Sequence, residues 1–267
     1  MVHVPERKAI SGPALIRLLA RLTDARFPES EPPLADRLGQ WLVWTDAIAL
    51  SSALSGAPPA GGPRGAAPDQ AEDALCLRVR TTLTNAIARD PMLMPHRHNG
   101  PARHRQNFAV AGAAPDYAAF RQCYLSLQEK MESAIGNLRT ALREMLSTRE
   151  PAMSRLAAVD AVMERVLAVR EHNALAAVPG LLAVHFERLR SQALAANGNA
   201  QGAQSVEDAQ GVARDAPGSA PSAADTPTVK DGPWLDAFRK DMQSALLAEL
   251  EIRFQPVEGL RAALRTC

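Results

Sequence analysis

The chain has 267 residues, enough for one large or two small domains with a buried core, and its hydrophobic share of 46% is ordinary. Only 4% of residues are aromatic and the apolar positions are mostly Ala and Leu, which lose little on entering a helix, so an all-α fold is expected. A net charge of +1 supplies no bulk field toward nucleic acid or an acidic membrane, and no apolar stretch approaches the roughly 20 residues of a membrane span.

The opening MVHVPERKAISGP lacks the apolar core of a signal peptide, and a cytoplasmic protein is expected. A first helix is predicted over 13–24, with Ser11 as cap, Pro13 in the first turn, and Leu15, Leu18, Leu19 and Leu22 on its apolar face. Residues 27–33, rich in proline and glutamate, break that pattern. A second helix follows over 34–54 (LADRLGQWLVWTDAIALSSAL). Leu38, Trp41, Leu42, Thr45, Ile48 and Ala49 form one stripe, and Val43, Trp44, Ala47 and Leu50 widen it. A helix this apolar must be covered on most sides. Trp at helical spacing ordinarily packs inward, so this helix is expected at the centre of an N-terminal helical domain over 1–90, with a partner-facing role for Trp41 and Trp44 as the alternative.

After a loop at 56–68, a third helix is predicted over 69–90, carrying Leu75, Val79, Leu83, Ala86 and Ile87. Residues 91–115 are too long for a simple connector and read as a basic irregular loop. From 115 to 149 the pattern is strongest: Phe120, Tyr124, Leu127, Met131, Ala134, Leu138, Ala141 and Met145 recur as a heptad seam. Glu150-Pro151 stops that helix and starts a second arm with Leu156, Val159, Met163, Val166 and Val169, kinked near Val178-Pro179-Gly180. The two arms make a coiled-coil-like hairpin over 116–196. Its charges alternate in sign, as a solvated outer face or as the seat of a partner helix.

Residues 197–231 are Ala, Gly, Ser, Pro and Gln, the composition of a flexible linker. Beyond it, 232–267 form a C-terminal unit. An amphipathic helix over 234–254 carries Trp234, Phe238, Met242, Leu246 and Leu250; a turn at 255–259 and a short helix over 260–264 follow. An apolar helix on a long tether implies docking, onto the hairpin of the same chain or of another copy. Trp234, Phe238 and Leu246, with Leu127, Met131 and Leu138 of the hairpin, are therefore expected at a protein interface.

The catalytic templates fail: the chain has no GxxxxGK[ST], no GxGxxG after a strand, no HExxH and no GxSxG. No catalytic residue, cofactor or metal is expected. Paired acids such as Glu249 and Glu251 read as solubility features of a solvated helix. Cys76, Cys123 and Cys267, odd in number and without CxxC, read as reduced thiols. His172 and His185 read as surface or satisfied core histidines. His96, Arg97, His98, Arg103, His104 and Arg105 form a basic cluster that a phosphate backbone could engage. A zinc reading of its histidines fails for lack of a fourth ligand, and Phe108 alone is a weak stacking platform for nucleic acid. A solvated polar loop is the bland reading of the same residues.

The stretch 34–54 resembles the signature of the family called domain of unknown function 3348 (DUF3348). LARLTD at 19–24 and Phe254-Gln255-Pro256-Val257-Glu258-Gly259-Leu260 with the Leu/Ala helix after it are similar too, so the resemblance spans the chain, with the linker as its variable part. That family is similar to the F component of type III Zorya, a bacterial anti-phage defence system. The resemblance implies an effector or adaptor that acts with the neighbouring G-type component, while the absent catalytic templates, the hairpin and the tethered helix make a non-enzymatic assembly protein that self-associates or joins that component the expectation. The resemblance also implies an indirect partnership with a MotA/MotB-like membrane motor, without insertion of this chain into the membrane. The alternative is a nucleic-acid-binding effector using the loop 96–105.

Overall fold

Local chemistry fixes where the two hairpin helices begin. The computed structural model describes residues 13–23, 34–55, 71–95, 116–208 and 232–266. Among them are eight helices and no strand: α1 (Ala14–Thr23), α2 (Leu34–Trp41), α3 (Trp44–Ser55), α4 (Ala71–Ala88), α5 (Tyr117–Ser147), α6 (Pro151–Ala176), α7 (Val178–Asp208) and α8 (Pro233–Arg265). Asp116 caps α5 by accepting a hydrogen bond from the Ala118 amide at 3.0 Å. Glu150 is extended (ψ 156°), as a residue before proline must be, and Pro151 then occupies the first turn of α6. The hairpin turn predicted at Glu150-Pro151 is therefore present.

The core runs along α5 and α8, which lie against each other for most of their length. On α5 the buried hydrophobic residues are Phe120, Tyr124, Leu127, Met131, Ile135, Leu138, Leu142 and Leu146, with Gln128 and Arg139 buried beside them. The upper half matches the predicted seam. The lower half replaces Ala134, Ala141 and Met145 by the residues that follow them. Phe120, Met131 and Leu142 are spaced by eleven, as are Tyr124, Ile135 and Leu146. Eleven residues span three turns at about 3.67 residues per turn, close to a straight helix, so the stripe drifts out of a heptad frame. In α8, Leu235, Leu246 and Val257 repeat the same spacing, as do Met242, Arg253 and Leu264.

That stripe corrects the expected turn at 255–259. Pro256 lies inside α8, and Val257, Leu260 and Leu264 beyond it remain at most 3% exposed. Proline removes one hydrogen bond to the Ile252 carbonyl, yet the burial of the residues on both sides keeps the helix going. The tethered helix docks on its own chain. Phe186 of α7 stands among Phe238, Trp234, Tyr117 and Phe120, with ring centroids 5.0–5.9 Å away.

The described N-terminal helices pack onto the later ones. α1 packs on α7 and α8, α4 on α5 and α8, and α3 on α6. Arg80 of α4 reaches Glu251 and Glu258 of α8 and stacks over Phe254 at 5.1 Å. The single helix expected over 34–54 is interrupted at Leu42 and Val43, and α3 buries none of its residues, so the expected central core helix is instead a surface one. On α6 the buried positions are Ser154, Ala157, Val162, Val166 and Leu175, whereas Leu156 and Val169 of the predicted stripe face outward. α7 continues to Asp208, twelve positions into the expected linker. The rest of that linker lies outside the described residues.

Leu146→Ala should lower stability by about 2–5 kcal/mol, the range for emptying a closed core site, whereas Met145→Ala should cost well under half as much. Urea titration of the two variants reads the difference; the reverse order would restore the heptad seam.

Candidate functional site

At the middle of the core lies a carboxylate with no exposure at all, Glu249 of α8. The sequence reading placed it on a solvated face; its partner in that reading, Glu251, is indeed exposed and pairs with Arg80. The Tyr124 hydroxyl donates to Glu249 Oε2 at 2.9 Å, and Gln128 Nε2 donates at 3.0 Å. Arg253, one turn on, donates its Nε at 3.0 Å and reaches Glu171 of α6 with Nη1 at 3.4 Å. Burial, then the neighbouring Glu249, pushes the Tyr124 hydroxyl well above the usual tyrosine range, so it stays a donor.

Gln128 has a second obligation. Pro179 has no N–H to return to the Leu175 carbonyl one turn earlier, and Gln128 Nε2 donates to that carbonyl at 3.2 Å. The break between α6 and α7 is thus joined through one amide to the carboxylate of α8. Tyr117, also on α5, donates to the Pro179 carbonyl.

A second ionic group closes the hairpin. Arg139 lies 2.8 Å from Asp160 and 3.2 Å from Glu164; Arg143 lies 3.2 Å and 2.5 Å from the same pair. Side-chain exposures of 10–29% place the four between the two arms. The solvated-face reading of these charges is corrected: they clamp α5 to α6. Elsewhere, His185 is 3% exposed and 2.8 Å from Asp241, a satisfied core histidine, and His172 is exposed, 3.7 Å from Glu132.

Between the clamp and the α6–α7 break the arms leave two adjoining cavities of about 620 and 480 Å³. Both are lined by Glu132, Gly136, His172 and Arg253, so they form one groove with α5 and α6 as walls and α8 as floor.

The residues singled out from the sequence scatter. Leu127, Met131, Leu138, Phe238 and Leu246 are 0–2% exposed inside the chain's own core, and Trp234 packs half-buried against Phe186; their expected interface role gives way to intramolecular packing. Trp41 is half-buried under Arg170, 5.0 Å from the ring centroid. Trp44 is 79% exposed. With it on the surface stand Val43 (64%), Ile48 (51%) and Leu54 (56%), apolar side chains of α3 and of the residue before it. His96, Arg97, His98, Arg103, His104 and Arg105 lie outside the described residues. Among the described residues no group of three or more His, Cys, Asp or Glu side chains is placed to hold a metal ion, and no helix is long and apolar enough to cross a membrane. Cys76 is buried; burial, then Asp90 at 3.3 Å, pushes the Cys123 thiol to about 12.

The family described as "Protein of unknown function (DUF3348)" matches residues 1–266. No curated protein and no solved structure matches the chain.

Glu249→Ala should cost about 3–5 kcal/mol by taking the shared acceptor from Tyr124, Gln128 and Arg253 and leaving the buried guanidinium only Glu171 at 3.4 Å, while Glu249→Leu with Arg253→Met should recover most of that loss. A denaturation cycle in which the single change is silent would sink this account. The raised groups also set a pH limit. Cys123 and Tyr117 hold their protons up to about 12 in the folded chain but release them near 9 and 10 when unfolded. The folded state binds more protons in that window, so stability should fall as pH rises from about 9 toward 12. Flat melting temperatures over that range would contradict it.

Proposed function

We propose that this chain, which belongs to the DUF3348 family, is a non-enzymatic assembly component that joins a second protein through the exposed face of α3. One observation carries the reading. Trp44, the largest side chain type and an enriched interface anchor, is 79% exposed on a helix that is held against α6 yet buries nothing of its own. Val43, Ile48 and Leu54 stand bare with it within residues 43–54, a concentration of exposed apolar side chains of the kind that marks interaction sites. The chain's other tryptophans are covered to a greater degree, Trp41 by Arg170 and Trp234 by Phe186.

The resemblance to the type III Zorya F component supplies the context: a cytoplasmic adaptor acting with the neighbouring G-type component and, through it, with a MotA/MotB-like motor in anti-phage defence. The partner segment should be apolar and able to enclose an indole. Because the contact is carried by a surface helix, the fold and the contact can be perturbed separately.

Trp44→Ser should cut recovery of the neighbouring component in co-purification by tenfold or more, the loss expected of an anchor worth about 2 kcal/mol, with an unchanged melting temperature. Equal recovery with both proteins would overturn the reading. Salt-dependent DNA retention by the wild type, lost when Arg97, Arg103 and Arg105 become alanine, would favour the nucleic-acid alternative instead.

A further inference from the structure

We infer that the groove between α5 and α6 receives an amphipathic, basic helix of a second protein, seated across Gly136. This site goes beyond the α3 contact, and no residue of α2 or α3 lines it.

Gly136 is the first argument. It sits in the interior of the 31-residue α5, where glycine costs about 0.5–1 kcal/mol relative to alanine. Glycines usually repay that cost by close packing or by a backbone angle that other residues avoid. Here, as at Gly259, a Cβ would meet nothing within 4 Å and the backbone is helical, so neither close packing nor backbone angle calls for glycine, and of these glycines only Gly136 lines the two cavities. The position opens instead onto the groove, at the junction of its two cavities. A bare backbone there admits the close approach of another backbone.

Length and lining come next. The groove's α5 wall extends from Leu125 to Arg139, about 21 Å at 1.5 Å per residue, or close to four turns of a partner helix. Leu125, Leu175, Met163 and Leu167 give its sides an apolar lining, while polar groups hold the rim. That is the layout in which a helix lays one apolar face into a groove.

Charge decides the partner's character. Asp160 and Glu164 are matched by Arg139 and Arg143 at the clamp. Arg253 is shared between the buried Glu249 and Glu171. Glu129 and Glu132 add further negative charge along the exposed α5 edge, where His172 is the one other basic group lining the groove. The rim therefore carries surplus negative charge, which lysines or arginines flanking an apolar stripe would complement. A second copy does not offer such a helix from α3. That helix has its apolar face exposed but carries Asp46 and no basic residue.

The test uses the full chain and a fluorescein-labelled 18-residue helical peptide with a Leu/Ala face and lysine flanks, read by anisotropy at low and moderate salt. Gly136→Leu should weaken binding at least tenfold with an equal or higher melting temperature, because the Cβ has open space, leucine favours the helix and its side chain occupies the groove. Glu132→Lys should weaken it similarly, a peptide with glutamate in place of lysine should bind at least tenfold more weakly, and Trp44→Ser should leave the affinity unchanged. No binding of the lysine peptide, or equal affinity for the wild type and Gly136→Leu, would overturn the proposal. Loss of binding in Trp44→Ser would move the site to α3 and overturn it as well.

Discussion

A carboxylate removed from water must find partners, and the satisfaction of Glu249 organises this fold. Two of its donors, Tyr124 and Gln128, come from α5 and the third, Arg253, from its own helix. None of these groups can shift by a turn without stranding a charge in the core, a penalty of several kcal/mol. Apolar stripes alone would let α5 and α8 slide past each other, since one leucine fits much like the next. The network fixes their register. Its reach into the α6–α7 break through Gln128 sets the point at which the second arm bends against both.

Much of the architecture was legible in the sequence because it depends on local rules. Asp116 as a cap, Pro151 as a helix start and Pro179 as a break act within a turn of themselves. The upper seam from Phe120 to Met131 was legible for the same reason. The lower seam was not, because heptad and eleven-residue frames agree over the three turns from Phe120 to Met131 and diverge only after it. Pro256 was misread as a stop. A lone proline costs a helix a few kcal/mol, which the burial of Val257, Leu260 and Leu264 offsets.

The candidate sites were harder to see, and each for a different reason. Glu249 looked like a surface charge because its partners are separated from it by up to 125 positions in the chain. Trp44 looked like a core residue because local pattern cannot say which elements arrive to cover a helix. The groove had a visible trace, Gly136 in the middle of an otherwise unbroken helical pattern, and only the arrangement of α6 and α8 around it shows that nothing fills the space. Surfaces inherit their meaning from tertiary neighbours, and the sequence supplies those last.

The position of α8 in the order of synthesis has a consequence of its own. The helix that completes the core is the last described one along the chain, so Phe120, Tyr124, Leu127 and Leu138 stand without their cover until residues as far as Leu264 have left the ribosome. The hairpin can close early, since its arms meet across a three-residue connection, but it closes with an oily flank and an unmet need at Gln128. Partly made chains are thus exposed to aggregation for the whole time that the intervening segment is being translated. Any damage that shortens the chain before α8 removes the core along with the tail.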